Sequence, residues 1–138
     1  MGDISKYVGI PHRFNKAGFD GCDCLGLVRL FYKEHGYSPS FYDEFEVTKE
    51  NYNSQSAWTH LYKYLEKHFD KETDPSKLKV GDIVIFSVLG DIHFGIIADE
   101  NGRLLAGQIP AEEGKSQSTI YRKSWWLPHQ RAMYRRRE

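Results

Sequence analysis

The pattern of apolar residues changes part-way along the chain. Trp58, Leu61, Leu65 and Phe69 follow one another at intervals of three or four residues, the spacing of an amphipathic helix. From residue 82 onward the apolar residues come in short runs rich in Ile, Val and Phe, which are typical of buried strands. Because helical patterns come first and strand patterns second, the sequence predicts an α+β fold and not a parallel α/β fold.

An earlier helix is predicted from Cys24 to His35, where the apolar residues make one broad face. Asp23 stands in front of this segment as an N-cap, and Gly36 follows it as a terminating glycine. The polar stretch 43–55 is expected to be irregular. The predicted strands are Asp82 to Val88, His93 to Ala98, Arg103 to Gln108, Ser118 to Arg122 and Ala132 to Arg136.

Length and composition limit the class of protein. The 138 residues form one predicted domain, 1–138, and the hydrophobic fraction of 40% argues against disorder. Nineteen basic and nineteen acidic residues cancel, so no global field favours nucleic acid or an anionic membrane as a partner. The longest apolar run, Ile83 to Phe86, is too short to span a membrane, and residues 1–14 lack the apolar stretch of a secretory signal. We therefore expect a soluble protein that is not exported.

The first segment with potential chemistry is Asp-Cys-Leu-Gly-Leu-Val at 23–28. It places Cys24 in the first turn of a predicted helix, where unpaired backbone amides favour a thiolate and can stabilise an oxyanion. Gly26 leaves this turn uncrowded, so that a substrate backbone can approach. The segment alone leaves a second interpretation open, in which the cysteine is buried and structural.

The second segment is His-Phe-Gly-Ile-Ile at 93–97, at the start of a predicted strand. Alternation places His93 and Gly95 on one face, and Gly95 is expected to leave an empty space beside the imidazole for a substrate. Asn101-Gly102 predicts a two-residue hairpin turn, which would place Gly95 opposite Gln108. Gln108 would then lie on the His93 face and orient the imidazole through a hydrogen bond, unless a bulge shifts the register.

Four motifs occur in a fixed order: Gly-Ile-Pro at 9–11, Gly-Cys-Asp-Cys-Leu-Gly-Leu-Val at 21–28, Val-Gly-Asp-Ile-Val at 80–84 and His-Phe-Gly-Ile at 93–96. Together they resemble the NlpC/P60 cysteine peptidases, over about residues 7–136. The Cys-Asp-Cys context, Val-Arg-Leu-Phe-Tyr at 28–32, and Trp-Trp at 125–126 with Tyr-Arg at 134–135 resemble more narrowly the phage tail-assembly branch of that family.

The resemblance implies a papain-like α+β fold with N-terminal helices packed on a C-terminal antiparallel sheet. It implies hydrolysis of peptide bonds in bacterial peptidoglycan, with Cys24 as nucleophile, His93 as base, a thioester intermediate and no metal or organic cofactor. The family has a third polar residue on the strand after the hairpin. An ungapped count places Ala106 there, which lacks the chemistry, whereas the predicted register favours Gln108.

The resemblance also implies a substrate-binding set and a setting. His12 stands where the family usually has Tyr, and Arg13 follows it near the site; with Gly26 and Gly95 they complete the predicted substrate-binding residues. Leu25 departs from the Ser or Trp of many members. The expected partners are the peptidoglycan peptide and phage tail proteins, with neither nucleic acid nor membrane. The expected location is a virion tail assembled in the bacterial host cytoplasm.

Three other interpretations are open at this point. In the first, the chain is a catalytically silent tail-tip assembly protein that keeps the fold. In the second, it is a cytosolic thiol amidase or acyltransferase that uses the same pair of residues. In the third, Cys22 and Cys24 bind a metal with His12 or His93. The spacing of the two cysteines differs from that of zinc knuckles and the chain has no second cysteine pair, so we expect no metal.

Overall fold

A computed structural model describes residues 4–13, 17–37, 55–108 and 115–137 of the chain. The helices in these ranges are α1 (Cys24–Glu34), α2 (Gln55–His68) and α3 (Lys123–Trp126). The strands are β1 (Ala17–Gly18), β2 (Gly21–Cys22), β3 (Phe69–Glu72), β4 (Ile83–Val88), β5 (Asp91–Ile97), β6 (Leu104–Gly107), β7 (Ser118–Tyr121) and β8 (Gln130–Arg136). Most of the stretch 43–55, predicted to be irregular, lies outside the described residues. None of the described helices is both long enough and apolar enough to cross a membrane.

Both ends of α1 are fixed by its flanking residues, as predicted. The Asp23 carboxylate accepts a hydrogen bond from the Gly26 amide at 2.7 Å, which is an N-cap. Gly36 takes the left-handed conformation with φ of +66°. The Tyr37 amide then reaches back to the Tyr32 carbonyl at 3.0 Å, as in a Schellman motif. The start of α1, which carries Cys24, is therefore set by local sequence.

Six strands form one antiparallel sheet in the order β3-β8-β4-β5-β6-β7. The five strands expected from the sequence are all present, and the helices with an antiparallel sheet confirm the predicted α+β class. The edge strand β3 and the two-stranded β1–β2 sheet were not predicted. Phe69 was assigned to the amphipathic helix, and it begins β3 instead, which pairs with β8.

The two faces of the sheet pack against different elements. One face packs on α1, and its buried residues share a cluster with Leu27, Val28 and Phe31 of that helix: Ile83, Ile85, Phe94, Ile96 and Leu105. The opposite face packs on Trp126 of α3, and its buried residues are Val84, Phe86, Ile97, Leu104, Ala106 and Met133. The face on which a strand residue lies therefore decides whether it can be near the body of α1.

Asp82, in the Gly-Asp pair of the predicted motif, anchors the start of β4. Its buried carboxylate accepts hydrogen bonds from the Lys79 amide at 2.9 Å and from the Arg135 guanidinium at 3.1 and 2.9 Å. The carbonyl of Gly81 accepts a bond from the Tyr32 hydroxyl at 2.8 Å, which ties the same turn to α1. The Gly-Asp pair thus holds α1, β4 and β8 together.

The predicted register of the β5–β6 hairpin is wrong by two residues. Ile96 pairs with Leu105 and Ile97 with Leu104, so the count places Ala106 opposite Gly95. The predicted two-residue turn would have placed Gln108 there. The hairpin therefore closes through a loop longer than Asn101-Gly102.

Asp99 is the reason for the longer loop. Its carboxylate accepts hydrogen bonds from the amides of Asn101 at 3.0 Å and Arg103 at 3.2 Å, and its carbonyl accepts one from Gly102 at 3.1 Å. Gly102 has φ of +77°, the conformation of a glycine that follows a type I turn in a hairpin. The aspartate side chain thus stabilises a four-residue loop, 99–102, in place of the shorter turn.

Candidate active site

The start of α1 offers backbone amides to an approaching substrate. Cys24 is the first residue of the helix, and its side chain lies outside the described part of the structure. The Gly26 amide is occupied by the Asp23 carboxylate, and the Leu27 amide donates to the Asp23 carbonyl at 2.8 Å. Since the first amides of a helix have no intrahelical acceptor, those of Cys24 and Leu25 are the ones suited to stabilise an oxyanion.

His12 and Arg13 run beside the strand that leads into α1. His12 pairs with Cys22 in a parallel bridge, and its amide donates to the Ser116 carbonyl at 2.8 Å. Its side chain is buried, whereas that of Arg13 is exposed and lies over Gly21. Both predicted substrate-binding residues therefore lie beside Cys22, two positions before α1 begins. Their role in binding stays a prediction.

Cys22 is unsuited to nucleophilic chemistry. Its side chain is buried, and this burial, together with the nearby Asp23 carboxylate, raises the pKa of the Cys22 thiol to about 12. The thiolate is the reactive form of cysteine, so Cys22 stays protonated and inert at neutral pH. Any thiol reactivity of the folded chain should therefore come from Cys24.

Successive strand pairings bring the predicted residues to one end of the sheet. β5 begins at this end with His93 near its start, and β6 ends there just before Gln108. Gln108 donates its amide to the Gln117 carbonyl at 2.9 Å, and Gln117 forms an antiparallel bridge with Pro11. The Pro11 carbonyl accepts from the Cys22 amide at 3.0 Å. The start of β5 and the chain leading into α1 therefore meet at the same end of the fold.

His93 lies on the face of the sheet opposite to α1. It pairs with Phe86, and the two ring centroids are 5.7 Å apart. The predicted alternation of His93 with Gly95 and Ile97 is confirmed, but this is the face that packs on α3. A reaction between Cys24 and His93 therefore has to take place at the end of the sheet, beyond the last β5–β6 pair.

The imidazole of His93 is in a position that favours its neutral form. Its Nε2 atom is buried and has no hydrogen-bond partner among the residues that the structure describes. Burial lowers the pKa of His93 below its ordinary value, and the carboxylate of Asp91, on the same face, partly opposes this shift. A neutral imidazole can accept a proton, as a general base must. Alternation along β5 marks Asp91 as a neighbour of His93, a relation that our sequence analysis missed.

Gln108 is held by a backbone group and not by the imidazole. Its side-chain oxygen accepts a hydrogen bond from the Gln117 amide at 3.1 Å, and the described hydrogen bonds include none between Gln108 and His93. The observed register differs from the predicted one and places Ala106 opposite Gly95. The same count places Gln108 opposite His93, so Gln108 stays on the predicted face, and its orienting role stays a prediction.

The empty space expected beside Gly95 is absent. A Cβ atom on Gly95 would lie 2.5 Å from the Leu105 carbonyl oxygen and 2.9 Å from the Ala106 Cβ. β6 therefore packs directly on this glycine. The small residue is needed for the close approach of two strands, and the structure leaves no room there for a substrate.

Gly95→Ala is therefore expected to destabilise the fold by about 1–3 kcal/mol, the usual cost of overpacking a core. Urea unfolding of the two proteins measures this difference. Gly107→Ala is the matched control, because Gly107 is a strand glycine of β6, paired with Ser118 of β7, but a Cβ there meets no atom within 4 Å. An equal loss in both variants, or a Gly95→Ala variant as stable as the parent, would contradict the packing role.

Among the described residues, no group of three or more His, Cys, Asp and Glu side chains could hold a metal ion. The alternative in which Cys22 and Cys24 bind a metal involves the Cys24 side chain, which lies outside the described part of the structure. The described residues thus offer a thiol position, a neutral imidazole and backbone amides as the chemical groups at this end of the sheet.

Comparison with known proteins places the fold. No family model matches the chain. No curated protein matches it either. The solved structure of NlpC1 from Trichomonas vaginalis matches with a TM-score of 0.56 and 14% sequence identity, over 96% of this chain. The two proteins share a fold. This chain covers 40% of the length of the NlpC1 chain, so the likeness concerns one part of that protein.

Proposed function

We propose that this protein is a cysteine peptidase of the NlpC/P60 type, with a papain-like arrangement, that cleaves peptide bonds in bacterial peptidoglycan. What supports the proposal is the placement of two chain positions toward the same end of the sheet. Cys24 begins α1 and His93 lies near the start of β5, in a chain that shares the fold of an NlpC1 structure. Cys24 and His93 also belong to the motifs on which the sequence resemblance to NlpC/P60 peptidases is based.

The mechanism follows from the chemistry of these groups. Neutral His93 accepts the proton of the Cys24 thiol as the sulfur attacks the carbonyl carbon of the scissile amide. The amides of Cys24 and Leu25 stabilise the oxyanion of the tetrahedral intermediate. The C–N bond breaks as His93 returns the proton to the leaving amine, which leaves a thioester on Cys24. Water then hydrolyses the thioester, so that one water molecule is consumed for each bond cleaved.

Thiol labelling and product analysis test this proposal together. In the folded chain at pH 6–8, iodoacetamide should modify Cys24 rapidly and leave Cys22 unmodified, because burial raises the Cys22 pKa to about 12. Digestion of purified peptidoglycan should release peptides with one new amine and one new carboxylate, detected by mass spectrometry. Cys22 is the internal control for labelling, since both cysteines react once the chain is unfolded.

Peptidoglycan that yields no new peptide ends would exclude the proposed activity. Labelling of Cys24 at the rate of an ordinary thiol, whose pKa is about 8.5, would argue against an activated nucleophile. Rapid labelling of Cys24 whose rate falls only at a pH well below 8.5 supports an activated nucleophile.

One observation favours a second candidate function, that of a catalytically silent structural protein. His93 faces away from α1, on the side of the sheet that packs on α3. This placement fits a chain that keeps the fold without turnover. An ordinary Cys24 thiol combined with intact peptidoglycan is the result expected for this candidate.

We further propose the setting that the sequence resemblance implies, a phage or prophage tail component assembled in the bacterial cytoplasm and carried in the virion. Support for this setting comes from the Trp-Trp and Tyr-Arg pairs near the C-terminal end of the sequence. Mass spectrometry of purified virions tests it, since a tail component must be present in the particle at a fixed ratio to other tail proteins.

A further inference from the structure

A cleft lies between the β5–β6 loop and the segment that joins β7 to α3, and three of the side chains that line it are basic. We call it the basic cleft, and its described lining residues are Asn101, Arg103, Ile120, Arg122 and Lys123. Its volume of about 530 Å³ is that of a small-molecule site. No acidic side chain is among these five, so the cleft concentrates positive charge in a chain whose net charge is zero.

The strand register brings two of these cations together. Leu104 of β6 pairs with Tyr121 of β7, so the next position along the two chains places Arg103 opposite Arg122. Side chains in directly opposite positions are neighbours, and two like charges there reduce stability. An anion that contacts both guanidinium groups would remove this repulsion.

Two carboxylates belong to the loop beside the basic cleft, and they compensate one of its three cations. Asp99 forms an ion pair with Arg103, with 3.3 Å between Oδ2 and Nε. Glu100 lines a neighbouring hollow, which shares Lys123 with the basic cleft, and does not line the cleft itself. In the part of the chain that the structure describes, the side chains of Arg122 and Lys123 form no ion pair. Two positive charges are therefore available to a ligand.

The backbone around the basic cleft is held in place by contacts to the core. The indole of the fully buried Trp126 donates a hydrogen bond to the Gly102 carbonyl at 2.8 Å, which fixes the loop to α3. The Lys123 side chain packs on Gly102, where an added Cβ atom would lie 3.0 Å from the lysine Cδ. The Arg122 carbonyl accepts hydrogen bonds from the amides of Trp125 and Trp126 at 2.9 and 3.1 Å. Because this backbone is fixed before a ligand arrives, binding requires less ordering.

We propose that the basic cleft binds the phosphate group of a small phosphate monoester. Such a group carries close to two negative charges at neutral pH and three terminal oxygens, which matches the two uncompensated cations. The guanidinium of Arg122 offers the fork of donors that phosphate oxygens accept. A carboxylate carries a single charge and would leave one cation unpaired. The half-buried Ile120 gives the organic part of the ester an apolar wall.

The basic cleft and His93 lie at opposite ends of the β5–β6 hairpin. β6 begins next to the cleft, directly after Arg103, and ends just before Gln108. β5 runs in the opposite direction, with His93 near its start. Phosphate binding in the cleft therefore does not depend on the proposed peptidase reaction, and each proposal can fail without the other.

An NMR titration of the whole chain with glycerol 3-phosphate tests the proposal. At pH 8 and constant ionic strength, we expect saturable shifts of the Gly102 and Lys123 amide signals. The dissociation constant should be in the millimolar range, because the charges of an exposed cleft are screened by water and salt. Arg122→Gln should weaken binding about tenfold, the order of one hydrogen bond to a charged group, and Lys123→Gln should weaken it as well. Sodium acetate, a single charge, should bind more weakly than the phosphate ester.

Arg131→Gln is the matched control, because Arg131 is also an exposed arginine but does not line the basic cleft. It should leave the affinity for glycerol 3-phosphate unchanged. Unchanged affinity in Arg122→Gln, an equal loss in Arg131→Gln, acetate that binds as tightly as the ester, or no saturable binding would overturn the proposal. A short oligothymidylate that binds more tightly than the ester through Arg122 would also overturn it, and would assign the cleft to a nucleic-acid backbone.

Thermal unfolding gives a second readout and verifies that the variants are folded. A ligand that binds only the folded chain raises its Tm, so glycerol 3-phosphate should raise the Tm of the parent and of Arg131→Gln more than that of Arg122→Gln. Without the ester, Arg122→Gln should be at least as stable as the parent, because the repulsion between Arg103 and Arg122 is removed. Equal ligand-induced shifts of Tm in all three chains would contradict the proposal.

Discussion

Cys24→Ala is expected to lower the rate of peptide release from peptidoglycan by at least about 10³-fold, the scale seen when a nucleophile is removed from a catalytic group that acts as a unit. The covalent route disappears with the sulfur, whereas the backbone amides of α1 and the substrate contacts remain. Mass spectrometry of timed digests measures the rate for the parent and the variant. Circular dichroism and urea unfolding verify that the fold is unchanged, since the Asp23 cap and Gly36 still fix the ends of α1.

Cys22→Ala is the matched control for that variant. Both substitutions remove one thiol from the same short segment, but the buried Cys22 stays protonated because its pKa is raised to about 12. Its loss should cost some stability through the small cavity and leave the rate per folded molecule unchanged. Identical fragments released at identical rates by the Cys24→Ala chain and the parent would remove Cys24 from the mechanism.

Features set by neighbouring residues were predictable from the sequence. The N-cap at Asp23, the terminating Gly36 and the strand that begins at Ile83 each depend on side chains within a few positions of one another. Local rules of capping and burial therefore located α1 and with it the position of Cys24. This is why the chemistry of that segment could be proposed before its surroundings were known.

The edge strand β3 could not be predicted in this way. Its four residues include three charged ones, and they form a strand because β8, more than sixty positions later, pairs with them. An ion pair between Asp70 and Arg137 at 2.9 Å lies along this edge. Strand formation here depends on tertiary context, which overrides intrinsic propensity.

The predicted hairpin register was wrong because the Asp99 side chain stabilises a longer loop than the turn that Asn101-Gly102 favours. Asn101-Gly102 favours a two-residue turn, but the Asp99 carboxylate bonds to two amides within the loop and lengthens it. The shift of two residues keeps every side chain on its predicted face and changes only its cross-strand partner. That is why the alternation of His93 with Gly95 was confirmed while the pairing of Gly95 with Gln108 was wrong.

Local sequence patterns could not predict which face of the sheet carries His93. Alternation shows which residues lie together, but only the packing of α1 and α3 decides which face each helix covers. The sequence therefore predicted the strand on which His93 lies. It did not predict that the imidazole faces Phe86, which is the observation that makes its role in catalysis worth a direct test.

Replacement of His93 by glutamine is expected to lower the peptidase rate by about 10²–10⁴-fold, the range for loss of a general base. The pH profile gives a second readout. A base works in its neutral form, and burial lowers the pKa of His93, so the rate should hold as pH falls to 6.5, the ordinary value, and decline only below it. In His93→Gln this acidic decline should be absent from the residual activity. An unchanged rate, or an acidic decline that persists, would assign the base to another group.

The same substitution has an effect on stability that does not depend on catalysis. Since the pKa of His93 is lower in the folded chain than in the unfolded one, the unfolded chain binds the proton more readily. The free energy of unfolding should therefore fall as pH drops below about 6.5, and this part of the fall should vanish in His93→Gln. Urea unfolding at pH 7.5 and pH 5 measures it. A chain that shows this stability effect without loss of activity has a half-buried imidazole that only packs against Phe86, whereas loss of both assigns His93 to catalysis at the end of the sheet.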